Sequence, residues 1–581
     1  MAAIESHISA ESMLAGSDGA VEIGKWLSKE ESVWPWRQGF KSDSLHVSDV
    51  CPECSRNEES ITVIQQYYID KNAKRRDENA LCLRLNASNN AITRIVLLNE
   101  RVYTEEELGN PPMEKVQQVV VGKRLTYRDA FRYAKDNLSG YVALANTDMF
   151  FDKSIDNLRT AALANERRIF CQLRYEFTSA VKRLQDCVTT CLRPDSQDVW
   201  MWHSSLELPD GAEKVLDVNM GVAGCDNKLV YLMSLMGVEC YNEPERLRTY
   251  HYHESQVRTY DPKKPVPGPW HAIFPHVRDA FTRRQIETFD PSAENAALRR
   301  IVSGQLATGK PFVIPRVAGV ENNVALLGVN MEQSGQPVEE SQLDIMRQVM
   351  KNNAGIRIDG ADGIKLYSRL YLRAFHKSAS YFWWTPWGNV GMHIADSQNF
   401  IAANFQAERI DAKTLDVFHN IERGPWTLAL RGKRLLIVSP FEESLRVQVS
   451  KRDKIYGIDL FPDCEFVFAK PPQTQGDCES REFQYELADF VEKLQEIRDT
   501  FDVALCSCGG YGNLVCAALH DMGKSAIYVG GVLQMYFGVY GERWVRERPD
   551  VLALYKNEHW VRPSEEERPT GFEKVESRCY W

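Results

Sequence analysis

The chain has 581 residues, 44% of them hydrophobic and 26% charged, which supplies several buried cores and excludes disordered, collagenous and fibrous classes. Its 70 Lys and Arg against 80 Asp and Glu leave a formal net charge of −10, which argues against a polyanion held by counterion release, so nucleic acid is not an expected partner. At about 150 residues per domain the length allows four units, but α/β units of about 250 residues fit it as two, and two are expected.

Residues 1–58 read as an N-terminal extension without sustained periodicity, carrying Trp26, Trp34, Trp36 and the pair Cys51 and Cys54. A lone CxxC lacks the second pair a tetrahedral zinc site needs, so these cysteines read as structural. The opening MAAIESHISAESMLAG has no basic cluster ahead of an apolar core and is not a signal peptide. Other cysteines, such as Cys171, Cys225, Cys240 and Cys506, are scattered through apolar stretches, which points to a reducing compartment. The best apolar stretch, Ala526 to Tyr540, is cut by Gly530, Gly531, Gln534 and Gly538 and is shorter than the roughly 20 residues of a spanning helix. No transmembrane segment and a cytoplasmic location are therefore expected.

The periodic chain begins with ITVIQQYYI (Ile61 to Ile69), a β-rich run, followed by a charge-rich helical segment, Asp70 to Asn86, and a strand, Ile92 to Leu98. Strand, helix, strand implies a parallel sheet whose ligand crevice lies at the strand C-terminal ends. Tyr127 to Asn137 is helical. YVALANTDMFFD (Tyr141 to Asp152) is a buried strand that runs into Asn146, Thr147 and Asp148, delivering a carboxylate to the mouth of that crevice. The proline-rich DPKKPVPGPWHAIFP, ending at Pro275, is neither helix nor central strand and marks a domain edge. A helix, Pro291 to Ala307, follows it.

A second α/β pattern starts at PFVIPRVAGVE (Pro311 to Glu321). It continues through the helix Tyr367 to Ala379, the strands Arg434 to Pro440 and Cys464 to Lys470, a helix from about Glu482 to Phe501, the strand-to-turn DVALCSCGGYG (Asp502 to Gly512), and SAIYVGG (Ser525 to Gly531). Strands alternating with helices in this way are βαβ units. The fold class expected is α/β: two Rossmann-like domains in series.

In the first half the candidate chemistry is Asn146, Asp148, Asp198, Asp226, His251 and His253. A nucleotide diphosphate calls for a divalent cation, and hard cations take carboxylate oxygens with an occasional imidazole. Asp148 supplies an oxygen, and HYH places two imidazoles on one strand face. NTD alone equally reads as a capping or turn cluster, and Asp226, in CDNKL at a helix start, equally reads as an N-cap. In the second half CGGYGN (Cys508 to Asn513) stands between a strand and a helix, where glycines allow close backbone approach and leave amides for a diphosphate. Simple tight-turn geometry is the competing reading. It is not GxGxxG, and no ribose-binding acid ends the next strand, which disfavours a dinucleotide.

The run from Ile61 to about Arg258 resembles a GT-A glycosyltransferase of glycan-building clusters. The resembling pieces are ITVIQQYYID, Arg75 to Glu100, ALANTDMFFD, CQLRYE (Cys171 to Glu176), DSQDVW (Asp195 to Trp200), GCDNKLVYLMSLMG (Gly224 to Gly237) and YHYHES (Tyr250 to Ser255). The resemblance implies Asp148 as metal and donor ligand where that family has DxD, with Asn146 beside it in NTD. It also implies Mn2+ or Mg2+ at Asp148, His251 and His253, and an acid binding the sugar or acting as base, with Asp198 and Asp226 as candidates and Glu176 behind them.

The pieces RVAGVE (Arg316 to Glu321), YSRLYLRAF with WWTPWGN (Trp383 to Asn389), SPFEESLRVQVSKRDKIY (Ser439 to Tyr456), CGGYGN and GKSAIYVGGVLQMYFGVYGERW (Gly523 to Trp544) resemble GT-D glycosyltransferases. Arg316 and Glu321 stand at two motif positions, and Gly319 replaces the motif Asp. A metal in this half is therefore uncertain. The resemblance implies donor binding by Arg316, Arg446, Gly509, Gly510, Gly512, Asn513 and Arg543 and catalysis by Glu321, with Lys451 and Arg452 as further phosphate partners. Trp383, Trp384 and Trp387 are candidate sugar-stacking or core residues.

The organisation expected is an N-terminal extension (1–58), a GT-A-like domain (59–275), a linker helix (276–310) and a GT-D-like domain (311–581). The function expected is a bifunctional glycosyltransferase that uses nucleotide-sugar donors and a glycan or glycoprotein acceptor in polysaccharide biosynthesis. Two alternatives stay open: a single GT-A site with a non-catalytic nucleotide-binding or scaffolding C-terminal module, and a methyltransferase.

Overall fold

The computed structural model describes residues 44–571 except 182, 190–192, 258–260, 262–263, 278–288, 336–337 and 386–393. Trp26, Trp34, Trp36, the opening MAAIESHISAESMLAG, Trp387 and Asn389 lie outside the described residues. The chain divides into two compact units between residues 288 and 289, and both are mixed α/β.

Strands of the first unit are β1 (Ser44–Val47), β2 (Ile61–Gln65), β3 (Arg94–Asn99), β4 (Val116–Val120), β5 (Tyr141–Ala145), β6 (Met149–Phe151) and β7 (Arg168–Gln172). The remainder are β8 (Tyr175–Phe177), β9 (Val188–Thr189), β10 (Val199–His203), β11 (Glu239–Tyr241), β12 (Thr249–Tyr252) and β13 (His271–Phe274). Seven form the main sheet in the order β11-β7-β10-β5-β2-β3-β4. β2, β3, β4 and β5 are parallel, but β10 runs antiparallel between β5 and β7, so the sheet is mixed rather than parallel throughout. Every residue of β2 and β5 is buried, as the unbroken apolar runs require of central strands.

YVALANTDMFFD is two strands, not one. After Ala145 the chain leaves the main sheet, and Met149–Phe151 pairs instead with β12 in a four-stranded sheet of order β6-β12-β8-β9. The bend between them is Asn146, Thr147 and Asp148, held where the Asn146 amide donates to the Asp198 carbonyl at 3.2 Å.

Residues from Ser44 on are integrated into this unit and are not an extension of it. β1 pairs in parallel with β13, the Cys51 amide donates to Glu243 Oε1 at 2.6 Å, and the Cys54 and Asn57 amides donate to the carbonyls of Thr160 and Arg159. The last residues of the proline-rich stretch, HAIF, are β13 itself, outside the main sheet.

The helix Pro291–Ala307 belongs to the second unit and is no free linker. It buries Leu298, Ile301 and Val302, and Asn295 Nδ2 donates to the Gly424 carbonyl at 3.0 Å. That unit contains β14 (Val313–Ile314), β15 (Ser380–Trp383), β16 (Glu408–Asp411), β17 (Arg434–Val438), β18 (Glu465–Ala469), β19 (Val503–Cys506) and β20 (Ser525–Tyr528). Five strands form an all-parallel sheet, β14-β20-β19-β17-β18. Parallel pairing of β15 with β16, and a bridge from Arg316 to Phe382, extend it to β16-β15-β14-β20-β19-β17-β18. Apolar faces of the helices Gly319–Ser334, Gly360–His376, Phe483–Glu496 and Gly512–Asp521 cover it.

The glycines of CGGYGN serve this packing. A Cβ at Gly509 or Gly510 would strike the Ala354 carbonyl or Ile356, and one at Gly512 would collide with the Tyr528 ring. The Tyr528 hydroxyl donates to the Gly509 carbonyl at 2.8 Å and the Tyr367 hydroxyl to the Gly510 carbonyl at 2.9 Å. The Gly512→Ala variant is expected to lose about 1–3 kcal/mol in urea unfolding, because a buried ring cannot move aside; an unchanged midpoint would contradict this packing.

Candidate functional site

β5 ends at the C-terminal edge of the first sheet, and the Asn146-Thr147-Asp148 bend opens into a crevice of about 600 Å³ lined by Asn146, Asp148, Arg174, Asp198, Asp226 and His251 among others. The four-stranded sheet supplies the opposite half of the acid site. In its register His251 lies across from Met149 of β6 and from Glu176 of β8, so one strand sets an imidazole between two carboxylates. The Tyr252 amide donates to the Asp148 carbonyl at 2.9 Å and ties the bend to this sheet.

Asp148 is buried. Its Oδ2 accepts from Arg75 Nη2 at 2.6 Å, lies 3.0 Å from His251 Nε2, and lies 3.8 Å from His253 Nδ1. His251 Nδ1 lies 2.8 Å from Glu176 Oε2, and Arg174 Nε donates to Glu176 Oε1 at 2.8 Å. Burial opposes ionisation of Asp148, but His251 and Arg75 hold its carboxyl far below the carboxylate range. Burial and the Arg174 charge work against protonation of His251, yet Asp148 and Glu176 lift it to about 9. Burial, aided by the Arg75 charge, pushes His253 down.

Asp148, His251 and His253 suit a divalent cation. Each offers one ligand atom, and the three atoms lie within 4.8 Å of one another. His253 Nε2 faces the Val257 carbonyl at 2.9 Å, so that nitrogen carries the proton and Nδ1 presents a lone pair toward Asp148. Two imidazoles and one carboxylate form a donor set for Mn2+ or another first-row ion.

The other wall is acidic. Asn146 Nδ2 donates to Asp198 Oδ1 at 2.8 Å, and Arg174 Nη1 pairs with Asp198 Oδ2 and donates to Ser196 Oγ at 2.8 Å. Asn146 thus braces Asp198. Asp226 Oδ2 accepts from the Gln197 amide at 3.3 Å, which joins it to the DSQDVW loop. Burial, followed by the charge of Asp198, raises the Asp226 carboxyl to about 7.

In the second unit the expected residues separate. Arg316 follows β14; its Nη1 donates to the Val529 carbonyl at 3.0 Å, and it lies between the rings of Trp384 and Tyr528, 5.4 and 5.5 Å from their centroids. Asn513 accepts from the Arg316 amide at 3.1 Å and donates to its carbonyl at 2.9 Å, so it braces Arg316. The Gly510 amide donates to the Ala354 carbonyl at 2.6 Å and the Tyr511 amide to Cys508. Those two amides are therefore not free for a phosphate.

Arg446 is held elsewhere, donating to Glu442 at 2.6 Å and covering Phe468, and Arg452 pairs with Asp459. Trp383 is buried under Arg409. Glu321 is buried, and together with burial its charge pushes the Tyr528 phenol up. Arg543 pairs with Glu547 at 2.9 Å.

A residue outside the sequence reading dominates this region. Asp416, its side chain 15% exposed, lies 3.6 Å from Arg548 Nη2. Burial pushes its carboxyl up, against the charges of Arg548, Arg543, Arg316 and Lys413. The GT-D metal site does not fit here, because Gly319 offers no carboxylate, a Cβ there meeting only Ile394, and the charges of four cations act on the acid that is present. Arg75, Arg174, Asp195, Lys413, Asp416 and Arg548 were not picked out as site residues in the sequence; only the position of Asp416 five residues past a strand, β16, was a signal.

No protein-family model matches the sequence, and no curated protein matches it. Similar solved structures include one described as the domain of unknown function 1792 with a distinct glycosyltransferase fold, 12% identical, covering 47% of this chain and 96% of that one at a TM-score of 0.21. A second is the mannosyltransferase PcManGT from Pyrobaculum calidifontis in complex with GDP-Man and Mn2+, 10% identical, covering 52% and 75% at 0.24. A third is S. aureus TarS 1-349 in complex with UDP-GlcNAc, 8% identical, covering 60% and 91% at 0.20. At these scores the likeness carries no functional weight. Among the described residues no helix is long and apolar enough to cross a membrane.

Proposed function

We propose that this chain is a glycosyltransferase that moves sugars from nucleotide donors to glycan hydroxyls, with one transfer site in each unit. The observation that carries it is the first crevice, where Asp148, His251 and His253 converge on one wall and the Asp198–Asp226 pair on the other, around about 600 Å³. Such a division suits a donor diphosphate on the first wall and an acceptor hydroxyl on the second. A divalent cation held by Asp148, His251 and His253 would supply positive charge opposite the leaving diphosphate. Glu176 orients His251 by taking its Nδ1 hydrogen, which turns Nε2 toward Asp148. Asp226 takes the proton of the attacking hydroxyl, and Arg174 and Asn146 hold the Asp198 carboxylate in place beside it.

Hydrolysis of a panel of UDP- and GDP-sugars by the full chain, with and without manganese, tests this reading. Turnover of at least one donor, stimulated by manganese, is the expected result. Absence of turnover across the panel would sink it.

A further inference from the structure

The C-terminal ends of β14 and β20 bring charged side chains together in the second unit. β14 and β20 are parallel neighbours in the five-stranded sheet, so their C-terminal ends lie side by side. In an open parallel sheet, ligands bind beyond the carboxyl ends of the strands. Arg316 stands there, two residues past β14 and bonded to Val529, the residue after β20. Its Nε is buried with no hydrogen-bond partner. Gly530, at φ 78°, leaves the space its guanidinium fills, since a Cβ there would collide with Nη1.

The chain beyond β16 brings Lys413 and Asp416 to the same place, and the helix Glu542–Glu547 with the residue that follows it brings Arg543 and Arg548. Arg548 lies 3.6 Å from the largely buried Asp416, and the charges of Arg543, Arg316 and Lys413 also act on it, so cations from three separate stretches bear on one carboxylate. Such a place repels a divalent cation, and planar guanidinium forks match phosphate oxygens bidentately.

We propose that the second unit holds a metal-independent site for the diphosphate of a nucleotide donor at the C-terminal ends of β14 and β20, with Arg316, Lys413, Arg543 and Arg548 as its cations and Asp416 holding them in place before the ligand arrives. The inference rests on reading the second unit as a transferase and is independent of the first crevice. It places the donor beyond the ends of β14 and β20 rather than at the CGGYGN turn, where the Gly510 and Tyr511 amides are taken.

Calorimetric titration of the full chain carrying Asp148→Asn, in EDTA, with UDP, GDP and inorganic pyrophosphate tests it. A nucleoside diphosphate is expected to bind without metal, with pyrophosphate competing, and Arg543→Ala and Arg548→Ala are each expected to weaken it about ten-fold or more. Arg548→Lys keeps a point charge and is expected to weaken it less than Arg548→Ala, while matching thermal melts of the three variants show that the fold is retained. Binding that appears only with manganese, binding in both alanine variants as tight as in the Asp148→Asn parent, or no binding of any of the three probes would overturn the proposal. If binding behaves as expected but the Asp148→Asn chain hydrolyses no sugar nucleotide, the site stands and the transferase reading of that unit falls.

Discussion

Replacing Asp148 with Asn is expected to lower manganese-dependent donor hydrolysis by about a hundred-fold or more, since the variant removes the one carboxylate among three metal-facing groups. Arg75 and His251 lose the charge they share, so stability falls as well; breaking a buried pair on one side costs about 3–5 kcal/mol. The two effects separate by measurement. Loss of manganese stimulation in protein that still melts cooperatively reports the site, whereas unfolding at the assay temperature reports the pair. The wild type carries its own acid signature. The Asp148 carboxyl is depressed in the folded state, so its stabilisation is present above the unfolded value of about 4 and is lost as pH falls through the folded one. A melting temperature indifferent to pH below about 4 would contradict the Arg75–Asp148–His251 arrangement.

Asp226→Asn is expected to lower transfer by about 10²–10⁴-fold, the usual contribution of a general base. The wild-type rate is expected to rise through pH 7, because the Asp226 carboxyl is raised to about 7 and only its ionised form accepts a proton. The variant should lose that limb. Its stability should not fall at neutral pH, since an amide removes the repulsion between Asp198 and Asp226 that, with burial, raises the acid. Rate profiles from about pH 5.5 to 8.5, set beside thermal melts, check both claims. A variant with an unchanged pH profile would remove Asp226 from proton transfer.

Local signals in the sequence located several elements residue by residue. The helix Tyr127–Asn137 has the bounds its pattern implies because Thr126 and Asp129 form a capping box at its start. Asp290 caps the helix Pro291–Ala307 ahead of a proline at its first turn. Asp148 was legible as the acid after a buried strand, and His251 and His253 as alternate residues of one strand. β15 and β16 were not legible as a sheet, since their pairing joins segments far apart in the chain, and the CGGYGN glycines were ambiguous because a phosphate turn and a ring-packed turn use the same residues.

The amino-acid sequence by itself determined the α/β class, the buried central strands and the strand-end position of Asp148, because periodicity, capping and chain breaks act over a few residues. Only the tertiary structure decided that Arg75 and His251 meet Asp148, that Asn146 turns to Asp198, and that the charges of cations from three stretches act on Asp416. Those contacts depend on sheet register and strand order, which bring together groups tens to hundreds of residues apart and leave no local trace in either partner.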